Sequence, residues 1–227
     1  MIILGVECSA VSAGAAVIKD GKLVSESFVN CGLTHSETLL PMIDKALSDA
    51  KITLEDVDTI AVSNGPGSFT GLRIGVATVK GLAMGAEKPV CGVSSLYALC
   101  FNVPCAQGVI VPMMDARREQ VYCAVYERKG ETLTEVMPMC AMALSELLEK
   151  VKDGATFVGD GAAVFYDKIK DVMGDKALFP SENLIYQRAS SIATAAQYVD
   201  KIDEKQLESI YLRMPQAERE RLEKERK

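Results

Sequence analysis

A single histidine, His35, stands in 227 residues. Any metal site or acid–base mechanism that needs two imidazoles is therefore excluded by counting. Cys-x-x-Cys pairs are absent as well. Cys8, Cys31, Cys91, Cys100, Cys105, Cys123 and Cys140 are odd in number and scattered, a pattern that fits buried reduced thiols rather than a disulfide framework or a zinc site. There is no surplus of basic charge: the net charge is −6 and the pI is near 5.0. A free-standing nucleic-acid binder needs a basic surface for phosphate contacts, so if RNA is involved a partner is expected to supply it. Met1 to Glu7 form no basic leader and meet a carboxylate at Glu7, so the expectation is a cytoplasmic protein without a signal peptide. A long uninterrupted apolar run is missing too. The helical segment beginning at Thr70 is broken by Arg73 and Lys80, which excludes a membrane span.

What is present is a soluble, ordered composition, 48% hydrophobic and 25% charged, with length enough for one large domain or two small ones. The chain is organised around Ser63 to Lys88. Gly65-Pro66-Gly67 suits no regular element and predicts a loop. The following segment predicts a helix with small residues at Gly71, Gly75, Thr78, Gly81 and Gly85. Each glycine in a helix interior costs roughly 1 kcal/mol relative to alanine. Close approach of another backbone is the expected reason, either inside the chain's own domain or from a partner subunit.

Upstream, the apolar runs Ile2–Val6 and Ala13–Ile18, the Asp20-Gly21 turn and Lys22–Val29 predict a β-meander. Thr34-His35-Ser36-Glu37 matches a capping box opening a helix over Ser36–Asp49. Strand Thr59–Ser63 feeds the glycine loop, where backbone amides and a helix N-terminus can face an anion or simply connect strand to helix. Pro89–Val93 reads as a strand, and Ser94-Ser95 cap a short helix to Leu99. A boundary near Asn102–Gly108 divides the chain into 1–103, 104–212 and a solvated charged tail over 213–227. Beyond it, strands Val109–Met114, Gln120–Glu127 and one ending at Met137, helix Ser145–Val151, strand Thr156–Val158 and the turn Gly159-Asp160-Gly161-Ala162 repeat the first plan. Helix Ser190–Tyr198 follows. Duplicated lobes imply a cleft, whose candidate nucleotide-facing residues are Glu7, Ser9, Gly65, Gly67, Gly159 and Gly161.

Three segments together carry a family resemblance: Ile3-Leu4-Gly5-Val6-Glu7-Cys8-Ser9, then Gly65-Pro66-Gly67-Ser68-Phe69-Thr70-Gly71-Leu72-Arg73-Ile74-Gly75, then Tyr211-Leu212-Arg213 with Gln216-Ala217-Glu218. His35-Ser36-Glu37 with Leu39-Leu40-Pro41, and Met114-Asp115-Ala116-Arg117, support it. The chain resembles the glycoprotease-like family over nearly its whole length. The resemblance implies an α/β, two-lobed actin-like ATPase (ribonuclease H-like) fold, each lobe a mixed sheet with flanking helices. It departs from that fold's nucleotide-binding members, which place an acid-x-Gly-Thr turn where this chain has Glu7-Cys8-Ser9-Ala10. It departs from the catalytic paralogue, TsaD, whose metal-binding histidines correspond to Ser95 and Leu99, neither a competent ligand.

The resemblance therefore implies no catalytic residue, no cofactor and no metal. The implied role is a scaffold subunit of the transferase that makes threonylcarbamoyladenosine beside the tRNA anticodon. Such a subunit binds TsaD through its first-lobe helices, is joined by the ATPase TsaE, forms a homodimer through the same surface when alone, and reaches tRNA only indirectly, with no membrane involved. The expected interface is Leu39, Met42, Ile43, Arg73, Val76, Val79, Lys80 and Ala83, so Val76→Glu or Ala83→Glu should abolish association and leave the monomer folded. The competing readings are a stand-alone nucleotide-binding protein using Gly65–Thr70 and Gly159–Ala162, an actin-like-fold phosphotransferase, and a peptidase. A peptidase lacks a metal pair, and His35 has no nucleophile motif beside it; it reads as a capping-region or surface histidine.

Overall fold

The computed structural model describes residues 1–32 and 34–213. The Asp-Gly signal produces the expected turn: Asp20 (φ 51°) and Gly21 (φ 76°) sit between Lys19 and Lys22, which pair. Strands β1 (Ile2–Glu7), β2 (Ala13–Lys19) and β3 (Lys22–Val29) form the antiparallel meander. After α1 (His35–Asp49), strand β4 (Thr59–Gly65) pairs parallel to β1. After α2 (Phe69–Ala86), strand β5 (Val90–Ser94) pairs parallel to β4. The first sheet has the order β3-β2-β1-β4-β5. Helix α3 (Ser95–Leu99) starts where the Ser94 hydroxyl accepts the Tyr97 N–H, as its capping sequence predicts.

The second lobe repeats this plan. Strands β6 (Gly108–Asp115), β7 (Gln120–Lys129) and β8 (Thr132–Ala143) are antiparallel. Helix α4 (Leu144–Lys150), strand β9 (Ala155–Val158), helices α5 (Asp160–Val164) and α6 (Tyr166–Met173) and strand β10 (Ala177–Leu178) follow. The sheet order is β10-β9-β6-β7-β8, with β9 parallel to both β6 and β10, so strand for strand it matches the first. Helices α7 (Glu182–Ile185) and α8 (Ala189–Ala195) follow, and the described chain runs on to Arg213.

Helices cover both faces of the inner strands, which is why these read as unbroken apolar runs. In β1, Leu4 and Val6 pack with Leu39, Ile43 and Val79 of α1 and α2, while Ile3 packs with Ile192 of α8. Helix α3 lies between the lobes: Ala98 joins the cluster on the first sheet, and Leu96 and Leu99 join Ile110 and Val158 on the second. The linker after α3 is fixed by the buried Arg128, whose guanidinium donates to the carbonyl oxygens of Cys100 (2.9 Å), Val103 (3.1 Å) and Pro104 (2.7 Å).

Four details differ from the sequence expectations. Helix α8 returns to lie on β1 and β2, clamped by Glu26, which accepts from Arg188 Nη2 (2.6 Å) and from Ser190 Oγ (2.9 Å). The unit expected to run from 104 to 212 thus ends before α8, because a linear division cannot display a chain that comes back. The Thr34 side chain makes no capping bond; the Glu37 N–H donates to the Thr34 carbonyl instead (3.0 Å). Strand β8 continues to Ala143 rather than stopping at Met137. The second post-glycine helix breaks at Phe165. Residues 214–227, including Gln216-Ala217-Glu218 and nearly all of the expected charged tail, lie outside the described residues. Among those described, no helix is long and apolar enough to cross a membrane.

Candidate functional site

The parallel strands of both lobes point their carboxyl ends at one place: β1 ends at Glu7, β4 at Gly65, β6 at Asp115 and β9 at Val158. Such ends are where open α/β sheets form ligand crevices. Here they border a cleft of about 670 Å³. Ser9, Gly67, Ser68 and Phe69 form the first-lobe wall, Asp115, Arg117, Tyr122 and Asp160 the second, and Tyr211 to Arg213 run across its mouth.

The glycines of both turns are required by close packing within the chain. A Cβ at Gly65 (φ 127°) would strike the Ile210 carbonyl, at Gly67 that of Ser9, at Gly159 (φ 112°) that of Met113, and at Gly161 the Met114 backbone. Backbone of the chain itself packs against each of these glycines. The Ser68, Gly71 and Gly159 amides of the turns are committed as well. Ser68 N–H donates to the Ser9 carbonyl (2.7 Å) and Gly159 N–H to that of Ile185 (2.7 Å). Gly71 N–H donates to Ser68 Oγ (3.3 Å), Ser9 N–H to Glu7 Oε1 (2.5 Å), and Arg117 N–H to Asp115 Oδ1 (2.8 Å). Of the predicted cleft residues, Ser9 and Gly67 line the cavity; Gly65, Gly159 and Gly161 support the turns.

Burial sets the titration of the groups around the cleft. Glu7 is 1% exposed; burial raises its pKa, partly offset by hydrogen bonds from Ser9 and Ser63. Burial, with the Glu7 charge adding to it, pushes the Cys8 thiol up to about 12, so it is a protonated thiol and a poor nucleophile. Burial lifts Asp160 to about 6 against the help of Gln187 and the Asp115 N–H. Gln187 Nε2 donates to Asp160 Oδ1 at 2.5 Å. The cavity lining carries two acids, Asp115 and Asp160, and two guanidiniums, Arg117 and Arg213. His35 is half-buried, and its Nε2 lies 2.8 Å from the Ala10 carbonyl oxygen, where it props the β1–β2 turn. Ser95 is fully buried, and its hydroxyl has no partner among the described residues; the Leu99 side chain lies against Gly159.

The expected interface is largely the wrong face of its helices. Leu39, Met42, Ile43, Val76, Val79 and Ala83 all belong to the first lobe's own core, so Val76→Glu or Ala83→Glu would place a charge inside the monomer. Only Arg73 is exposed and Lys80 half-buried. At about 100° per residue, positions 73, 76, 80 and 83 form one stripe along the border of the buried face, with Val76 and Ala83 on its inner side and Arg73 and Lys80 on its outer side. The outward face of α2 is Thr70, Arg73, Ala77, Gly81, Met84 and Gly85.

Sequence reasoning misses Asp115 and Asp160 as cleft residues, although each follows a parallel strand at its carboxyl end. That position is the signal that could have found them. Tyr211 and Arg213 stand out as sequence segments, but their place across the cleft depends on a fold-back. Ile210 N–H donates to the Asn64 carbonyl (2.6 Å), and Arg213 Nη1 to the Ala116 carbonyl (3.1 Å) with Nη2 on Gln120 Oε1.

Residues 30–222 match the family described as TsaD, tRNA N6-adenosine threonylcarbamoyltransferase. The tRNA threonylcarbamoyladenosine biosynthesis protein TsaB of Bacillus subtilis is 32% identical over 221 residues, covering 96% of each chain. YeaZ from Pseudomonas aeruginosa superposes with a TM-score of 0.76 at 22% identity, over 93% of this chain and 99% of that one. The activator of 2-hydroxyisocaproyl-CoA dehydratase from Clostridium difficile, solved with bound ADPNP, superposes with a TM-score of 0.52 at 12% identity, over 87% of this chain and 94% of that one. The structural likenesses establish the two-lobed actin-like ATPase fold, and the sequence relationships establish that this chain belongs to the TsaB family, within the wider TsaD grouping.

Proposed function

We infer that the chain serves tRNA threonylcarbamoyladenosine biosynthesis in the cytoplasm as a non-catalytic scaffold subunit. It docks a TsaD-type threonylcarbamoyltransferase on the outer face of α2 and the adjoining α1, TsaE joins the pair, and two copies meet through the same face when the chain is alone. The outer face of α2 supports this most directly. Gly81 and Gly85 cost the helix roughly 1 kcal/mol each, yet a Cβ at either would meet open space. Nothing among the described residues asks for them; the close approach of a partner helix does. Met84, 74% exposed, lies on the same face. A non-catalytic role is supported by the protonated Cys8 and by His35, whose Nε2 is engaged with the Ala10 carbonyl. With a net charge of −6, tRNA is reached through the partner.

Gly81→Glu and Ala77→Glu place charge on this face without touching the core. Both should abolish co-purification with the cognate TsaD while the isolated variants melt like the parent chain. In a mixture of TsaD, TsaE, ATP and threonylcarbamoyl adenylate, tRNA modification should require this chain, and the chain alone should not turn over ATP. Complexes unaffected by either variant, or full modification without the chain, would refute the reading.

A further inference from the structure

The first turn of α2 holds a side-chain cluster that neither the core nor the cleft explains. Arg73 lays its guanidinium over the Phe69 ring, 3.8 Å from the centroid. Phe69 packs against Tyr211 with ring centroids 4.8 Å apart, and Arg73 Nε donates to the Tyr211 hydroxyl at 3.3 Å. Tyr211 is itself fixed by its neighbour, since Ile210 N–H is bonded to the Asn64 carbonyl. One face and one edge of the guanidinium are thus occupied. Arg73 is exposed, and neither Nη meets an acceptor among the described residues.

We propose that Arg73 is a pre-organised receptor for a carboxylate side chain of the docking partner, held in place by Phe69 and by Tyr211 of the returning C-terminal segment. The proposal rests on the reading that the outer face of α2 docks a TsaD-type subunit. A guanidinium presents a planar pair of Nη donors that fits a carboxylate bidentately, and stacking on an aromatic ring leaves that edge free. The cost of ordering a long side chain at an interface is already met in the free chain, because both anchors are intramolecular. A nucleic-acid phosphate is the poorer occupant, since the chain is acidic overall and a backbone contact would call for a basic patch.

The test is calorimetric titration of the cognate TsaD-type subunit with the full chain and its Arg73→Ala, Arg73→Lys, Tyr211→Phe and Gly81→Glu variants, at low and high salt, after thermal melts have shown each variant folded. Arg73→Ala should weaken binding about 10- to 100-fold, the range for a lost charge-assisted pair, and flatten its salt dependence. Arg73→Lys should lose most of the same affinity, because a point charge cannot form the fork. Tyr211→Phe should weaken binding a few-fold with the salt dependence intact. If both Arg73 variants bind within about twofold of the parent while Gly81→Glu does not bind, the carboxylate assignment falls and the docking face stands. If Gly81→Glu also binds normally, the docking reading itself falls. Full binding by Arg73→Lys overturns the bidentate geometry, and Arg73-dependent binding of tRNA by the chain alone overturns the choice of ligand.

Discussion

The two lobes share a strand order and a strand–glycine turn–helix unit, yet the helical segment after each turn differs. In the first lobe Gly65-Pro66-Gly67 leads into one helix of 18 residues. In the second, Gly159-Asp160-Gly161 leads into α5 and α6, of 5 and 8 residues, broken at Phe165. Where the first turn carries Pro66 the second carries Asp160, which sends a buried carboxylate into the cleft. The outer side of α6 bears Asp167, Lys168 and Asp171, an ordinary solvated face; the outer side of α2 bears Ala77, Gly81 and Gly85. The duplicated backbone has been kept for the core, and the two surfaces have been given different work.

The contrast between inner and outer faces of α2 gives the largest expected effect. Val79→Glu buries a charge among apolar side chains and should cost more than about 4 kcal/mol, read as loss of soluble folded protein, whereas Gly81→Glu two positions on should yield a chain that melts normally. Next come the turns. Gly159→Ala forces a side chain onto a positive φ and into the Met113 carbonyl, and should destabilise by roughly 3 kcal/mol in denaturant titration. Gly67→Ala, pressed against Ser9, should be similarly severe, and a mild effect at either site would mean that the lobes are less alike than their topology.

The acidic wall sharpens the comparison through pH. Asp160 has its folded pKa raised from 3.8 to about 6, so its stabilising contribution is whole below pH 3.8 and is lost as pH climbs through about 6. Asp160→Asn removes that loss. The stability of the variant relative to the parent should therefore rise between those limits, by on the order of 3 kcal/mol, whatever constant offset the lost acceptor adds. A flat difference across that window would show that the carboxylate is better solvated than its burial indicates. The smallest effect belongs to Gly85→Ala, which fills open space in a helix and should stabilise by up to about 1 kcal/mol, raising Tm by roughly 2–4 °C.

The strands, both glycine turns and the duplicated plan are legible in the sequence because each rests on local chemistry: Asp20-Gly21 closes a hairpin, and Ser94 caps α3. The inward face of α2 is harder, since small and apolar residues occur all round it and only Arg73 and Lys80 mark the outside. Even those two charges mislead, because they sit at the edge of the outward face: at about 100° per residue, Val76 and Ala83 stand within about 70° of their mean direction and yet are buried. The return of α8 to the first sheet, and of Ile210 to Asn64, is not legible, because contacts between residues far apart in sequence leave no periodic trace. The Thr34 capping box fails for a local reason: the helix start is satisfied by the Thr34 carbonyl, and its hydroxyl is not used.

Among the described residues the chain crosses between the lobes three times: at the linker that Arg128 secures, at Tyr186 to Arg188 between α7 and α8, and at Leu207 to Arg213. Leu207 is part of the first lobe's core, whereas Arg213 is bonded to the second lobe's β6–β7 turn. A hinge motion that widens the cleft must first detach that short segment from one lobe. The Ile210 amide, bonded across to Asn64, is the natural reporter of that detachment in hydrogen exchange.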